Sequence, residues 1–139
     1  MMKEIVVEAK LENMGAVLDF VGERLEDCPL KIQNQIRIAV DEIFSNIARY
    51  AYNTGVGNAA IRVAVGDDIT VEFEDNGMAY DPLTADTPNT ALPAEEREIG
   101  GLGLFMVKRL MDSVAYRREG NKNILTITKK WARAGYSLS

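Results

Sequence analysis

QIRIAVDEIFSNIARYAY, residues 35–52, decides how the chain is read. Within Gln33–Tyr52, Ile36, Ala39, Val40, Ile43, Phe44, Ile47 and Ala51 recur at spacings of three and four, which predicts a long amphipathic helix. Glu42 and Asn46 stand four apart and therefore stack on one face of it. An acid and an amide beside an apolar stripe have two explanations. Either they face solvent at the edge of the stripe, or they belong to a metal and nucleotide site whose other parts lie downstream.

Composition narrows the classes. The 139 residues suit one domain, residues 1–139, large enough for a hydrophobic core. Hydrophobic residues make up 47% and charged residues 27%, as in ordinary soluble globular proteins. A formal net charge of -5 argues against broad attraction to nucleic acid or to an anionic membrane, so neither is an expected partner. Lys108, Arg109, Arg117 and Arg118 read as solvated surface rather than a basic patch. The single cysteine, Cys28 before Pro29, excludes an internal disulfide, gives no zinc pattern and reads as structural. The absence of histidine excludes Ser-His-Asp and Cys-His mechanisms and a phospho-accepting histidine within this chain. No apolar run approaches the roughly 20 residues that span a bilayer. The opening MMKEIVVEAK has no signal-peptide pattern, and a cytoplasmic location is expected.

Working outward from the central helix, Lys3–Ala9 reads as a strand and Leu11–Glu26 as a helix, with Asn13 as an early cap. Asp27-Cys28-Pro29 breaks the chain, and Pro29 suits the first turn of the central helix. After Asn53-Thr54-Gly55-Val56-Gly57, Ala59–Val65 and Ile69–Glu74 form a hairpin around Gly66-Asp67-Asp68. Residues 83–99, rich in Thr, Asn, Ala, Pro and acids, form a long connection of the kind that serves as a lid. A third helix, Leu104–Asp112, presents Leu104, Val107, Leu110 and Met111 inward. Two closing strands, Ser113–Arg118 and Asn123–Lys129, turn at Glu119-Gly120-Asn121, and the tail from Trp131 is expected to fray or pack loosely. This order predicts an α+β two-layer sandwich with about five antiparallel or mixed strands and three helices on one face.

Three motifs suit one ligand. Gly100-Gly101-Leu102-Gly103 puts bare backbone at a helix start, where unpaired N–H groups and the positive dipole end favour a polyphosphate. Taken alone it reads more readily as a flexible hinge after a loop; it is neither a dinucleotide fingerprint nor a P-loop. Asp75 at a strand end can accept from the exocyclic amine of adenine, with Gly77 letting the ring approach; in isolation Asp75-Asn76-Gly77 is a turn. A triphosphate brings Mg²⁺, for which the Asn46 oxygen is a suitable ligand, and Glu42 could then orient or deprotonate the attacking hydroxyl or water.

Glu42-x-x-x-Asn46, then Asp75-x-Gly77-x-x-x-Asp81-Pro82, then Gly101-x-Gly103 after a long loop, resembles the N, G1 and G2 boxes of the GHKL, or Bergerat-fold, ATPases. Within that superfamily the size and the stretch from Glu98 to Asp112 most resemble the bacterial anti-sigma-factor serine kinases. The resemblance implies a Bergerat-type ATP-binding fold, ATP with Mg²⁺ under a mobile lid, and phosphorylation of a serine on a small anti-anti-sigma factor. It also implies a sigma factor as a second partner, and a homodimer. Carried over by position, Asn46 would bind Mg²⁺, Glu42 would be the catalytic base and Asp75 with Gly77 would read adenine. Asp81 would complete the G1 box, Gly100, Gly101, Leu102 and Gly103 would cradle phosphate, and Thr126 would support Asp75.

The chain departs from the pattern at Ala79, where many relatives have a second glycine, and at Tyr50, where some have histidine. It also has Ile99 where the kinases carry arginine, its nearest arginine being Arg97. Two other readings therefore stand beside the kinase: a module that binds ATP and sequesters a partner without transfer, and a detached ATPase domain of a histidine kinase.

Overall fold

The strands alternate apolar and polar residues, and this alternation builds the layer on which everything else rests. The computed structural model describes residues 2–51, 57–78 and 104–131. Its strands are β1 (Lys3–Glu8), β2 (Asn58–Val65), β3 (Asp68–Asp75), β4 (Ser113–Glu119) and β5 (Lys122–Lys130). They form one five-stranded sheet in the order β1-β2-β3-β5-β4. Every pairing is antiparallel. The two hairpins, β2–β3 and β4–β5, each bring adjacent strands together, and the sheet is completed where β3 meets β5. The second hairpin turns at Gly120, whose φ of 59° lies in the left-handed region that glycine enters without steric cost.

Among the described residues three α-helices cover one face: α1 (Met14–Arg24), preceded by a 3₁₀ turn at Leu11–Asn13, α2 (Leu30–Tyr50) and α3 (104–110). This is the α+β two-layer arrangement expected from the sequence, with the sheet wholly antiparallel. The stripe on α2 is buried as its periodicity predicts, from Ile32 and Ile36 through Val40, Ile43 and Phe44 to Ile47. It lies in one core with Ile61 and Val63 of β2, Val71 and Phe73 of β3, and Leu125 and Ile127 of β5. Leu104, Val107 and Met111 are buried from the α3 side, while Leu110 is half-buried against the same core.

Three local expectations change. The central helix begins at Leu30, with Pro29 at its N-cap and extended (φ -57°, ψ 146°) rather than in the first turn. Asn13 occupies the N-cap of α1 but makes no cap bond; its amide donates instead to the Glu8 carbonyl at 2.8 Å, tying the helix to the end of β1. Trp131 is buried rather than frayed, because its indole N–H donates to the Gly66 carbonyl at 2.7 Å and caps the β2–β3 turn. Cys28 is buried, as a structural cysteine should be.

The other face of the sheet is charged. Arg62 on β2 donates to Glu4, Glu72 and Glu74, each at 2.8 Å, and Lys122 stands 3.4 Å from Glu74. Burial works against the Arg62 charge, but the three carboxylates outweigh it and hold the guanidinium above the usual arginine range. The hydrogen bond from Arg62 holds the Glu74 carboxyl below the usual glutamate range. A carboxyl depressed in the folded state stabilises the fold at neutral pH and loses that contribution as pH falls through its folded value. Arg62→Ala is therefore expected to cost up to about 1 kcal/mol at pH 7 and to flatten the loss of stability below about pH 5, read from urea denaturation across that range.

Candidate functional site

The sheet and the α2 stripe leave a cleft where the C-terminal end of α2 passes the end of β3. Ile43, Asn46, Ile47 and Tyr50 line it from α2, and Phe73 and Asp75 from β3. Leu104 closes one side, and Tyr116, Asn123 and Leu125 come from the β4–β5 hairpin. It holds about 500 Å³ of empty space, counting the part open to solvent, with largely apolar walls and a few polar groups. Such a lining suits a flat heteroaromatic ring held by a small number of oriented hydrogen bonds.

Asp75 is the principal polar group. It ends β3 on the inward-facing register of Val71 and Phe73, so its carboxylate is buried at 7% exposure. Its Oδ1 accepts two hydrogen bonds, from the Gly77 backbone N–H and from Asn123 Nδ2, both at 2.9 Å. Among the described residues no donor reaches Oδ2. A buried carboxylate with one oxygen saturated and the other without a protein donor is ready to accept from a ligand in the cleft.

Asn123 is the residue that sequence reasoning missed. It sits directly across from Asp75 in the β3–β5 register. Its Nδ2 also donates to the Met78 carbonyl at 2.8 Å, while its Oδ1 accepts from the Tyr116 hydroxyl at 2.6 Å and from Arg118 Nη1 at 3.0 Å. Arg118 Nη1 reaches the Gly77 carbonyl as well, at 3.0 Å, so the turn after Asp75 is tied to the second hairpin. The signal was present: Asn123, Leu125 and Ile127 alternate, which puts the asparagine on the apolar face of its strand.

The expectation for Thr126 is corrected on the same grounds. Thr126 pairs with Glu72, three positions from the Asp75–Asn123 pair, and an odd step along a strand reverses the face. It therefore lies on the charged side of the sheet with Glu72, away from the cleft. Of the basic residues, Arg117 is exposed on the charged face beside Glu119 and Glu72, as a solvated surface charge should be, and Arg118 is exposed too but also bonds to the cleft network.

Gly77 is needed for a reason the sequence did not show. A Cβ there would lie 2.1 Å from the Ala51 carbonyl oxygen and 2.6 Å from its carbon, at the C-cap of α2. The next residue, Met78, donates its N–H to that same carbonyl at 3.0 Å. The expected room for a ring is thus first of all room for the helix end. Gly77→Ala is expected to destabilise the protein by about 2–4 kcal/mol, because backbone rather than a flexible side chain must move; a thermal melt measures it.

Asn46 shares the cleft with Asp75, as its face on α2 requires. Glu42, one turn earlier on that face, is half-buried and lies outside the lining. Asp81, the lid at 83–99, Arg97, Ile99 and the cluster Gly100, Gly101, Leu102 and Gly103 lie outside the described residues, as does Ala79. The described chain resumes at Leu104, which is buried in the cleft wall.

A family model described as the histidine kinase-like ATPase domain matches residues 7–129. The chain belongs to this family. The match runs from β1 to β5 and so takes in α2 and the whole cleft. Among its relatives, the serine/threonine-protein kinase BtrW of Bordetella bronchiseptica is 30% identical over 101 residues, covering 70% of this chain and 70% of that protein. The serine-protein kinase RsbW of Listeria monocytogenes is 32% identical over 123 residues, 84% of this chain and 73% of that protein. RsbW of Bacillus cereus is 27% identical over 134 residues, 88% and 81% respectively. Among the described residues no helix is long and apolar enough to cross a membrane.

Proposed function

We propose that this protein is an Mg·ATP-dependent serine kinase that regulates a sigma factor by phosphorylating a small anti-anti-sigma partner. The observation that carries the nucleotide part is Asp75, buried at the cleft with Oδ1 saturated and Oδ2 without a donor among the described residues. Adenine offers the matching exocyclic amine. The serine-kinase part is supported by the relatives, which carry that name over most of the chain.

Each group has a role in this reading. Asn46 lines the cleft, and its side-chain oxygen would suit a hard cation that keeps most of its water and phosphate ligands and needs few groups from the protein. Mg²⁺, when bound with the triphosphate, neutralises charge that develops during transfer. Glu42, one turn from Asn46, receives the proton of the partner's serine hydroxyl at its carboxylate. Gly100, Gly101, Leu102 and Gly103, by their sequence, are the residues that would hold phosphate oxygens through backbone N–H groups. Asp81 belongs with the nucleotide-binding residues as part of the same motif, and the 83–99 segment serves as a lid over the nucleotide. The whole chain, residues 1–139, acts as one such domain.

One observation favours a second reading. Ile99 stands where the kinases this chain resembles carry an arginine, and without that charge the protein would bind ATP and a partner but transfer nothing. Incubation with γ-labelled ATP, Mg²⁺ and the small partner encoded nearby separates them. Label stable to acid and released by alkali, on a serine, is the expected result. Acid-labile label on a histidine of another chain indicates a detached histidine-kinase domain, and saturable ATP binding with no label leaves the sequestering module.

A further inference from the structure

Asp75 gives adenine an acceptor, but an unmodified carboxylate would accept guanine as well. We propose that Asn123 is the base-selectivity residue, excluding guanine by saturating one oxygen of Asp75. This rests on the reading of the cleft as a nucleotide site.

A carboxylate oxygen accepts about two hydrogen bonds. Both positions on Asp75 Oδ1 are filled, by the Gly77 N–H and by Asn123 Nδ2, each at 2.9 Å. Among the described residues this leaves one oxygen, Oδ2, available to a ligand. Guanine carries two adjacent donors on its Watson–Crick edge, N1–H and the N2 amine, and these pair side by side with a carboxylate whose two oxygens are both open. Adenine carries a single exocyclic amine, with an acceptor as its ring neighbour, and needs only one oxygen. Saturating Oδ1 removes guanine's bidentate option and costs adenine nothing.

Asn123 can do this because its own amide is fully engaged. Nδ2 gives its second hydrogen to the Met78 carbonyl at 2.8 Å. Oδ1 takes the Tyr116 hydroxyl at 2.6 Å and Arg118 Nη1 at 3.0 Å. The two partners on Nδ2 are acceptors, and Arg118 can only donate, so the reversed amide would set donor against donor and acceptor against acceptor. Tyr116 and Arg118 are positioning residues: they hold Asn123 in the orientation that donates to Asp75. Arg118 also fixes the Gly77 carbonyl at 3.0 Å, and with it the turn whose N–H fills the other position on Oδ1.

The test is calorimetric titration of the full chain with Mg·ATP and with Mg·GTP. Wild type is compared with Asn123→Ala and with the double variant Tyr116→Phe/Arg118→Gln. Asn123→Ala is expected to narrow the preference for ATP over GTP by at least about tenfold, as ATP weakens while GTP holds or tightens. The double variant keeps the amide but loosens it, and should narrow the preference in the same direction by less. A residue that merely supports the fold would weaken both nucleotides alike, so an unchanged ratio in the variants, with wild type binding ATP, overturns this inference alone. If Asn123→Ala does not fold, the double variant decides by the same ratio. Binding of neither nucleotide by wild type overturns the reading of the site and this inference with it.

Discussion

Replacing Asp75 by asparagine is expected to weaken ATP binding by about 30- to 1,000-fold while leaving the fold nearly intact. The substitution keeps an oxygen at the Oδ1 position, so the Gly77 N–H and Asn123 Nδ2 retain their acceptor. The group at the other position becomes an amide N–H₂, a donor where the nucleotide's amine also donates. One charge-assisted hydrogen bond is lost and one donor is left unpaired, together about 2–4 kcal/mol. Titration calorimetry reads the affinity, and a thermal melt within a few degrees of wild type shows that the loss is local. Unchanged affinity would remove Asp75 from the site.

The second large effect is on transfer rather than binding. Glu42→Ala is expected to lower the rate of phosphoryl transfer to the partner's serine by about 10²- to 10⁴-fold, the usual contribution of a positioned general base. Nucleotide affinity should stay within about tenfold of wild type, because Glu42 lies outside the lining of the cleft. Single-turnover transfer and equilibrium binding, measured on the same preparation, separate the two quantities. Equal losses in both would mean that Glu42 holds the nucleotide or the helix instead of acting on the hydroxyl. The contrast with Asp75→Asn divides the roles: one residue binds, the other moves a proton.

Much of this architecture was legible because it follows from short-range periodicity. The α2 stripe from Ile36 to Ile47 is buried as its spacing requires, and the two hairpins fall where glycine and acidic turn residues place them. Asn46 and Asp75 meet in one cleft, which their positions on helix face and strand end allowed but did not compel. What escaped depends on contacts between distant segments. The steric need for Gly77 comes from Ala51, on an element far back in the chain, and no local pattern records that approach. Trp131 was read as tail because nothing nearby in sequence predicts its bond to Gly66. Thr126 was a different kind of miss. Counting by twos from Ile127 places it on the far face and picks out Asn123, so strand parity alone would have corrected the assignment.

The charged face of the sheet and the cleft illustrate opposite uses of the same residue types. Arg62 gathers three carboxylates in partial contact with water, where each pair adds little to stability. Arg118 spends its guanidinium on one amide oxygen and two backbone carbonyls, those of Gly77 and Gly120, beside a buried acid, where small displacements are felt by a ligand. Composition cannot distinguish the two arginines. Their partners do.

The most direct measurement is a crystal structure of the full chain with Mg²⁺ and a non-hydrolysable ATP analogue. The account predicts the adenine amine within hydrogen-bond distance of Asp75 Oδ2, with Oδ1 still held by Gly77 and Asn123, and the metal on the side-chain oxygen of Asn46. A base seated elsewhere, or a metal bound without Asn46, would contradict it.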